Sequence, residues 1–258
     1  LARFAYPAGN LIFAIVMSGD RVVIVTGGTR GVGRAVVTLF ARKGWRVFFS
    51  ARHAEAVQAL QMQLRDEGRI VEGYACDLTR KSDIEKWVRW LQEKTDRIDV
   101  LVNNAGTFIP GKIQTEDDAT FEYLMALNAA APYYLTKRLL PMMTARKSGL
   151  IVNISSTAGL QPYPNGASYC ISKYALTGFS KVLREELKPT GVRVSTLYPG
   201  PVYTDSWEGT PYEPHRFILP DTLARIIHHL TELPADAVVE DLVVRPQAGD
   251  FSESEMNS

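Results

Sequence analysis

Short apolar runs alternate with helix-period segments from residue 21 to residue 197, and that alternation admits few folds. Residues 21–25 read as a buried strand closed by a glycine cluster. Residues 32–43 follow, with Val36, Leu39 and Phe40 at helical spacing and Gly44 as the stop. Further strands are expected at 47–49, 70–75, 99–102, 150–154 and 192–197, and residues 237–246 are strand-like. Helices are expected at 55–67, at 82–94 with Ser82 as N-cap, at 118–145 interrupted at Pro132 and Pro141, and at 167–187. Such an order means βαβ units, a parallel sheet and right-handed crossovers. The class is α/β: one doubly wound domain of about seven parallel strands with helices on both faces. A chain of 258 residues, 46% apolar, buries a full core in that arrangement.

The two ends stand apart. The apolar run at residues 11–16 is six residues long, too short for a membrane span or a signal-peptide core. Residues 1–16 are read as an extension outside the fold, with Met17 a natural start, the domain as 17–250 and residues 251–258 as a polar tail. Chain from Gly249 on is expected to fray. A net charge of +1 gives no reason to expect nucleic acid or a membrane surface as partner. Cys76 and Cys170 form no CxxC pair, so free thiols in a reducing, cytoplasmic setting are expected. His53, His215, His228 and His229 have no ligand-like spacing with them, and no metal site is expected.

Chemistry concentrates between Ser155 and Lys173. Tyr169 and Lys173, four apart on a helix, share one face. An ammonium beside a phenol favours phenolate and should pull the tyrosine pKa below about 10, making a usable proton donor to a carbonyl. Ser156 lies thirteen residues before Tyr169 at a strand end, whence a loop can bring its hydroxyl beside the phenol; Ser155 competes for that place. Alone, a Tyr–Lys pair is also an ordinary solvated pair on a helix.

Thr26-Gly27-Gly28-Thr29-Arg30-Gly31-Val32-Gly33, Asn103-Asn104-Ala105-Gly106, Ser156 and Tyr169…Lys173 occur here in that order. Together they resemble the short-chain dehydrogenase/reductase family, whose signatures are TGxxxGxG, NNAG and Ser…YxxxK. The resemblance covers about residues 20–249, and within the family the pattern is closest to bacterial sepiapterin reductases. It implies a Rossmann-type fold, an NADP(H) cofactor and hydride transfer to a ketone. Tyr169 is then the acid, Ser156 the carbonyl's hydrogen-bond partner and Lys173 the tuner of Tyr169 and holder of the nicotinamide ribose. Asn128 resembles the family's fourth catalytic residue; on local grounds it is equally an asparagine hydrogen-bonded inside a helix. The family pattern favours Ser156 over Ser155.

For the cofactor, Gly27, Thr29, Arg30, Gly31, Val32 and Gly33 lie between a strand and a helix, where backbone can approach a pyrophosphate. At the end of the second strand Ala51 stands where NAD enzymes of the family carry an acid. Arg52 follows, and with Arg30 can chelate a 2′-phosphate, unless both are solvated surface arginines. The resemblance puts Asp77 and Leu78 at the adenine, although Asp77 also suits a helix cap. It puts Asn104, Ala105 and Gly106 at the adenosine ribose, and Pro199, Gly200, Val202 and Thr204 over the carboxamide.

The expected partner is a small carbonyl substrate. Residues 204–220 lack periodicity and read as a lid, with Trp207 either stacking on substrate or pinning the loop, and Asp205 or Glu208 available to a ring amino group. A pterin side-chain ketone is preferred; a broad-specificity 3-hydroxy acid or alcohol dehydrogenase is the alternative, and a non-catalytic NADPH sensor a third. The long helices carry apolar residues beyond what one sheet face needs, implying a homodimer or homotetramer.

Overall fold

Five consecutive buried residues make β1 (Val22–Thr26), and its side chains alternate between two cores. Val23 and Val25 pack with helices α1 (Gly31–Arg42), α2 (Ala54–Asp66) and α7 (Pro220–Glu232). Val22 and Ile24 pack on the opposite face with α3 (Lys81–Lys94), α5 (Ala131–Ala145) and α6 (Ala167–Leu187). A strand covered on both faces has no room for polar alternation, which is why it reads as a continuous apolar run. The structure, a computed structural model, describes residues 21–207 and 212–251. The expected extension at 1–16, tail residues 252–258, Glu208 and Pro211 lie outside the described residues.

The other strands are β2 (Arg46–Ala51), β3 (Val71–Ala75), β4 (Val100–Asn103), β5 (Gly149–Ile154), β6 (Val192–Pro199) and β7 (Asp241–Val244). All pair in parallel, in the order β3-β2-β1-β4-β5-β6-β7. The sheet of seven strands with helices on both faces is the expected architecture.

Four local expectations are corrected. Ser82 does not cap α3: the helix starts at Lys81 with Arg80 as N-cap. The Asp77 carboxylate accepts from the Thr79 backbone N–H (3.0 Å) and hydroxyl (2.7 Å), and this turn carries the chain into the helix. The long helix at 118–145 is two helices, α4 (Asp118–Met125) and α5, joined by a π-helical turn over Ala126–Ala130. There the Ala131 N–H reaches back five residues to the Ala126 carbonyl. Pro132 follows at once, and having no N–H it cannot restore the i→i−4 ladder. Helix α7 falls where no helix is expected, yet its apolar residues Leu223, Ala224, Ile227 and Leu230 are all buried, on the face toward α1. Finally, the two described residues past Gly249 are tied down: Asp250 pairs with Arg245, and Phe251 is buried.

Candidate active site

The connections of β1 and β4 leave in opposite directions, so a crevice opens at the carboxyl ends of these neighbours. The glycine loop lines it. Gly27 (φ 68°) and Gly31 (φ 49°) adopt left-handed backbone that side chains resist. A Cβ on Gly33 would stand 2.1 Å from the Gly27 carbonyl oxygen. That turn is welded to the end of β4: the Thr26 hydroxyl accepts from the Asn104 and Ala105 N–H groups, each at 2.9 Å. The Asn104 amide donates back to the Thr26 carbonyl at 2.8 Å. Helix α1 begins at Gly31 without a side-chain cap and with no acid in its first turn. Its first amides and positive dipole end therefore remain available to an anion. Thr29 and Val32 are half-buried in this loop, Val32 against the core.

At the neighbouring strand end, Ala51 closes β2 with no carboxylate. Arg52 is exposed and donates to the Tyr123 hydroxyl at 2.9 Å. Arg30 is exposed too, 3.9 Å from Asp205. Asp77 lies on the same rim; burial raises its pKa, but bonds from Thr79 and the charges of Arg80 and Arg52 outweigh that and hold it below the usual carboxylate range. Leu78 is buried beneath it. The distant stretch Pro199–Thr204 returns to the crevice: Thr204 lies against Gly31, where a Cβ would meet its methyl at 3.1 Å. Gly200 donates to the Val244 carbonyl, and Val202 pairs with Ile218.

The two serines part at the end of β5. Ser155 is buried under α6, its hydroxyl donating to the Lys173 carbonyl at 3.2 Å and lying within hydrogen-bond distance of the Thr177 hydroxyl at 3.3 Å. Ser156 is half-buried, accepts from the Ala158 N–H at 3.1 Å, and lies close enough to the Tyr169 phenol to favour its charged form. Lys173 extends beside that ring, its ammonium 5.8 Å from the ring centroid and donating to the Ile154 carbonyl at 3.0 Å. The expected fall in the Tyr169 pKa is not found. Burial raises it, the Ser156 hydroxyl opposes, and Cys170 adds to the rise. Lys173 is itself desolvated, and burial draws it down to about 8. Burial is the first cause of both shifts.

Asn128 sits on the π-helical turn, fully buried. Its amide donates to the Thr107 carbonyl and the Ser172 hydroxyl, and its oxygen accepts from the Thr107 N–H, all at 3.0 Å. This side chain fixes the loop after β4 to α6 one residue before Lys173. Gly106 lies under it, where a Cβ would be 3.0 Å from the Asn128 oxygen and 3.4 Å from the Lys173 nitrogen.

Aromatic side chains that the sequence reading did not single out surround Tyr169. Phe108, 46% exposed, meets its ring edge-on with centroids 5.0 Å apart. Tyr163, 37% exposed, is raised in pKa first by burial and then by Tyr169, and its ring packs on Gly166. Trp207 is engaged elsewhere, in a cluster with Phe217 (4.9 Å), Phe251 (5.6 Å) and Tyr212 (6.3 Å). The loop-pinning reading of Trp207 fits these contacts. Among the described residues no group of three His, Cys, Asp or Glu is placed to hold a metal.

Residues 21–213 match the family described as short chain dehydrogenase. The chain belongs to that family. As a member of the short chain dehydrogenases, it is similar to the sepiapterin reductase of Chlorobaculum tepidum, 28% identical over 240 residues that cover 90% of this chain and 98% of the relative. It is also similar to a solved metagenomic short-chain oxidoreductase in complex with NADP, at 34% identity and a TM-score of 0.79 over 90% of this chain and 99% of that one. A third likeness is to a single-residue variant of the actinorhodin polyketide ketoreductase with NADPH, at 29% identity and a TM-score of 0.82 over 91% and 99%. In this chain the loop after β4 links the two groups, Asn104 bonding Thr26 beside the glycine turn and Gly106 lying against Lys173.

Proposed function

We propose that this short chain dehydrogenase reduces a ketone with NADPH, and that the ketone is carried beside a flat ring, as in a pterin. The observation that carries the reading is the convergence of an uncapped, glycine-lined helix start with Ser156, Tyr169 and Lys173 at one crevice. The residues present fit a dinucleotide. A side chain on Gly31 or Gly33 would fill the cradle, and the start of α1 suits a pyrophosphate. Arg52 and Arg30 would take the 2′-phosphate, with no acid at Ala51 to oppose it. Asp77 and Leu78 would flank the adenine. Ala105 and Gly106 would line the ribose together with the backbone of Asn104, whose side chain is already committed to Thr26. Lys173 and Tyr169 would hold the second ribose, with Pro199, Gly200, Val202 and Thr204 over the carboxamide.

When bound, NADPH supplies the hydride. The Ser156 hydroxyl polarises the carbonyl oxygen, and the Tyr169 phenol gives it a proton as negative charge develops. A raised phenol pKa keeps that proton in place until the oxygen becomes basic enough to take it. Asn128 acts through others, holding Ser172 and the loop over Lys173. Phe108 and Tyr163 support the ring-bearing substrate, since both offer exposed aromatic surface beside the proton donor. Asp205, on the rim, is available to a ring amino group. The second reading is a chain-like 3-oxo acid or its hydroxy acid, favoured by the likeness to the polyketide ketoreductase. Against it, the loop's Arg216 lies over Phe251 at 4.8 Å, away from a free carboxylate role.

The test is initial rates with NADPH and NADH, each against sepiapterin and a short 3-oxo ester. NADPH with sepiapterin is expected to be the best pair, with the NADPH preference tenfold or more. Arg52→Ala is expected to lose about 10- to 100-fold in kcat/KM for NADPH, one charge-assisted bond being worth about 1.5–3 kcal/mol. Equal use of both cofactors contradicts the Arg52 assignment, and turnover of the ester alone contradicts the ring.

A further inference from the structure

We propose that Glu116 is a positioning residue, latching the loop that carries Phe108 onto the helix that carries Tyr169. One oxygen of its carboxylate accepts from the Ser168 hydroxyl at 2.5 Å, a length typical of a charge-assisted bond. Ser168 is 1% exposed and immediately precedes Tyr169. The other oxygen, Oε2, is buried with no hydrogen-bond partner among the described residues.

The local chain is built to admit this side chain. A Cβ on Gly111 would meet the Glu116 Cβ and Oε2 at 3.0 Å each, so the glycine leaves the acid its seat. Gly111 also bridges to the catalytic helix through backbone: its N–H donates to the Asn165 carbonyl (2.9 Å), and its carbonyl accepts from the Ala167 N–H (3.2 Å). Helix α6 lacks a side-chain cap and an acid in its first turn, so the negative charge at its positive end comes from Glu116, 52 residues before Ser168. Phe108 touches Tyr169 from the front of the same loop. Two ends of one loop thus grip adjacent residues of one helix. The latch keeps Phe108 in place as a wall for substrate, and this part rests on the reading of Tyr169 as proton donor.

The experiment compares the parent with Glu116→Ala, Ser168→Ala and Glu116→Gln, by amide hydrogen exchange of the unliganded protein and by steady-state kinetics with NADPH and sepiapterin. Glu116→Ala and Ser168→Ala are expected to speed exchange across residues 108–117 by tenfold or more. They are expected to raise the sepiapterin KM about tenfold while kcat falls less than threefold, and the double variant should match either single one. Glu116→Gln should recover most of both, because its amide oxygen still accepts from Ser168. Exchange within twofold of the parent in folded Glu116→Ala overturns the latch. So does a Glu116→Gln as impaired as Glu116→Ala. If the parent reduces no carbonyl, the functional reading fails, and the exchange data still decide the latch.

Discussion

Lys173 is 5% exposed, with the Ile154 carbonyl as its hydrogen-bond partner, and it carries the cost of its burial into the stability of the whole chain. Its folded pKa, about 8, lies below the ordinary 10.5. Between those values the unfolded chain holds a proton that the folded chain has released, so stability rises with pH across that window. Below pH 8 the folded state bears the full penalty, about 3 kcal/mol. Urea unfolding of the parent and Lys173→Met at pH 7 and pH 10 should therefore show the parent gaining on the variant by up to about 3 kcal/mol at the higher pH. A difference that is the same at both pH values contradicts the burial account. The same site explains why pKa direction was not legible from spacing. Four residues on a helix bring ammonium and phenol together, but the desolvation that dominates both comes from β5, α6 and the loop after β4 closing around them.

Among elements, those with one clear period were legible and those defined by distant partners were not. Strands β1, β2, β4, β5 and β6 carry their burial in composition, and periodicity alone bounds α6 at Ala167–Leu187. The π-helical turn was not legible, because it depends on Asn128 bonding across to Thr107 and Ser172. Helix α7 had a signal, Pro220 at its first position with apolar residues at helical spacing behind it, but the aperiodic loop ahead of it masks that start. Glu116 had no signal: its partner lies on another element. The loop after Thr204 is held from the other end of the chain. Phe251 meets Tyr212 at 4.4 Å and Phe217 at 5.1 Å, in the cluster that holds Trp207. Phe251→Ala should cost about 3 kcal/mol and expose residues 204–207 and 212–217 to limited proteolysis. If Trp207 only pins the loop, Trp207→Ala and Phe251→Ala raise the sepiapterin KM alike and non-additively. A KM raised by Trp207→Ala alone would restore the stacking role.

At the scale of the molecule, one face is left apolar. Ile171, Tyr174 and Val182 recur along α6 at helical spacing and are 43%, 42% and 58% exposed. Gly178 lies in the same stripe with open space beside it, and Phe121 and Tyr133 add exposed rings from α4 and α5. A stripe of this kind suits a second copy packed about a two-fold axis. Light scattering at micromolar concentration is expected to give a dimer or a multiple of it, and a monomer would count against that face as an interface. No helix among the described residues is long and apolar enough to cross a membrane.

In the proposed reaction the Tyr169 phenol delivers the proton to the substrate oxygen, and Tyr169→Phe isolates that step by deleting one oxygen atom. Single-turnover oxidation of bound NADPH by sepiapterin should slow by about 10²–10⁴-fold in Tyr169→Phe. NADPH affinity should stay within a few-fold, since Lys173 and the glycine loop remain. A variant that turns over at near-parent rate, with chemistry rate-limiting in both, would show that the proton comes from another group.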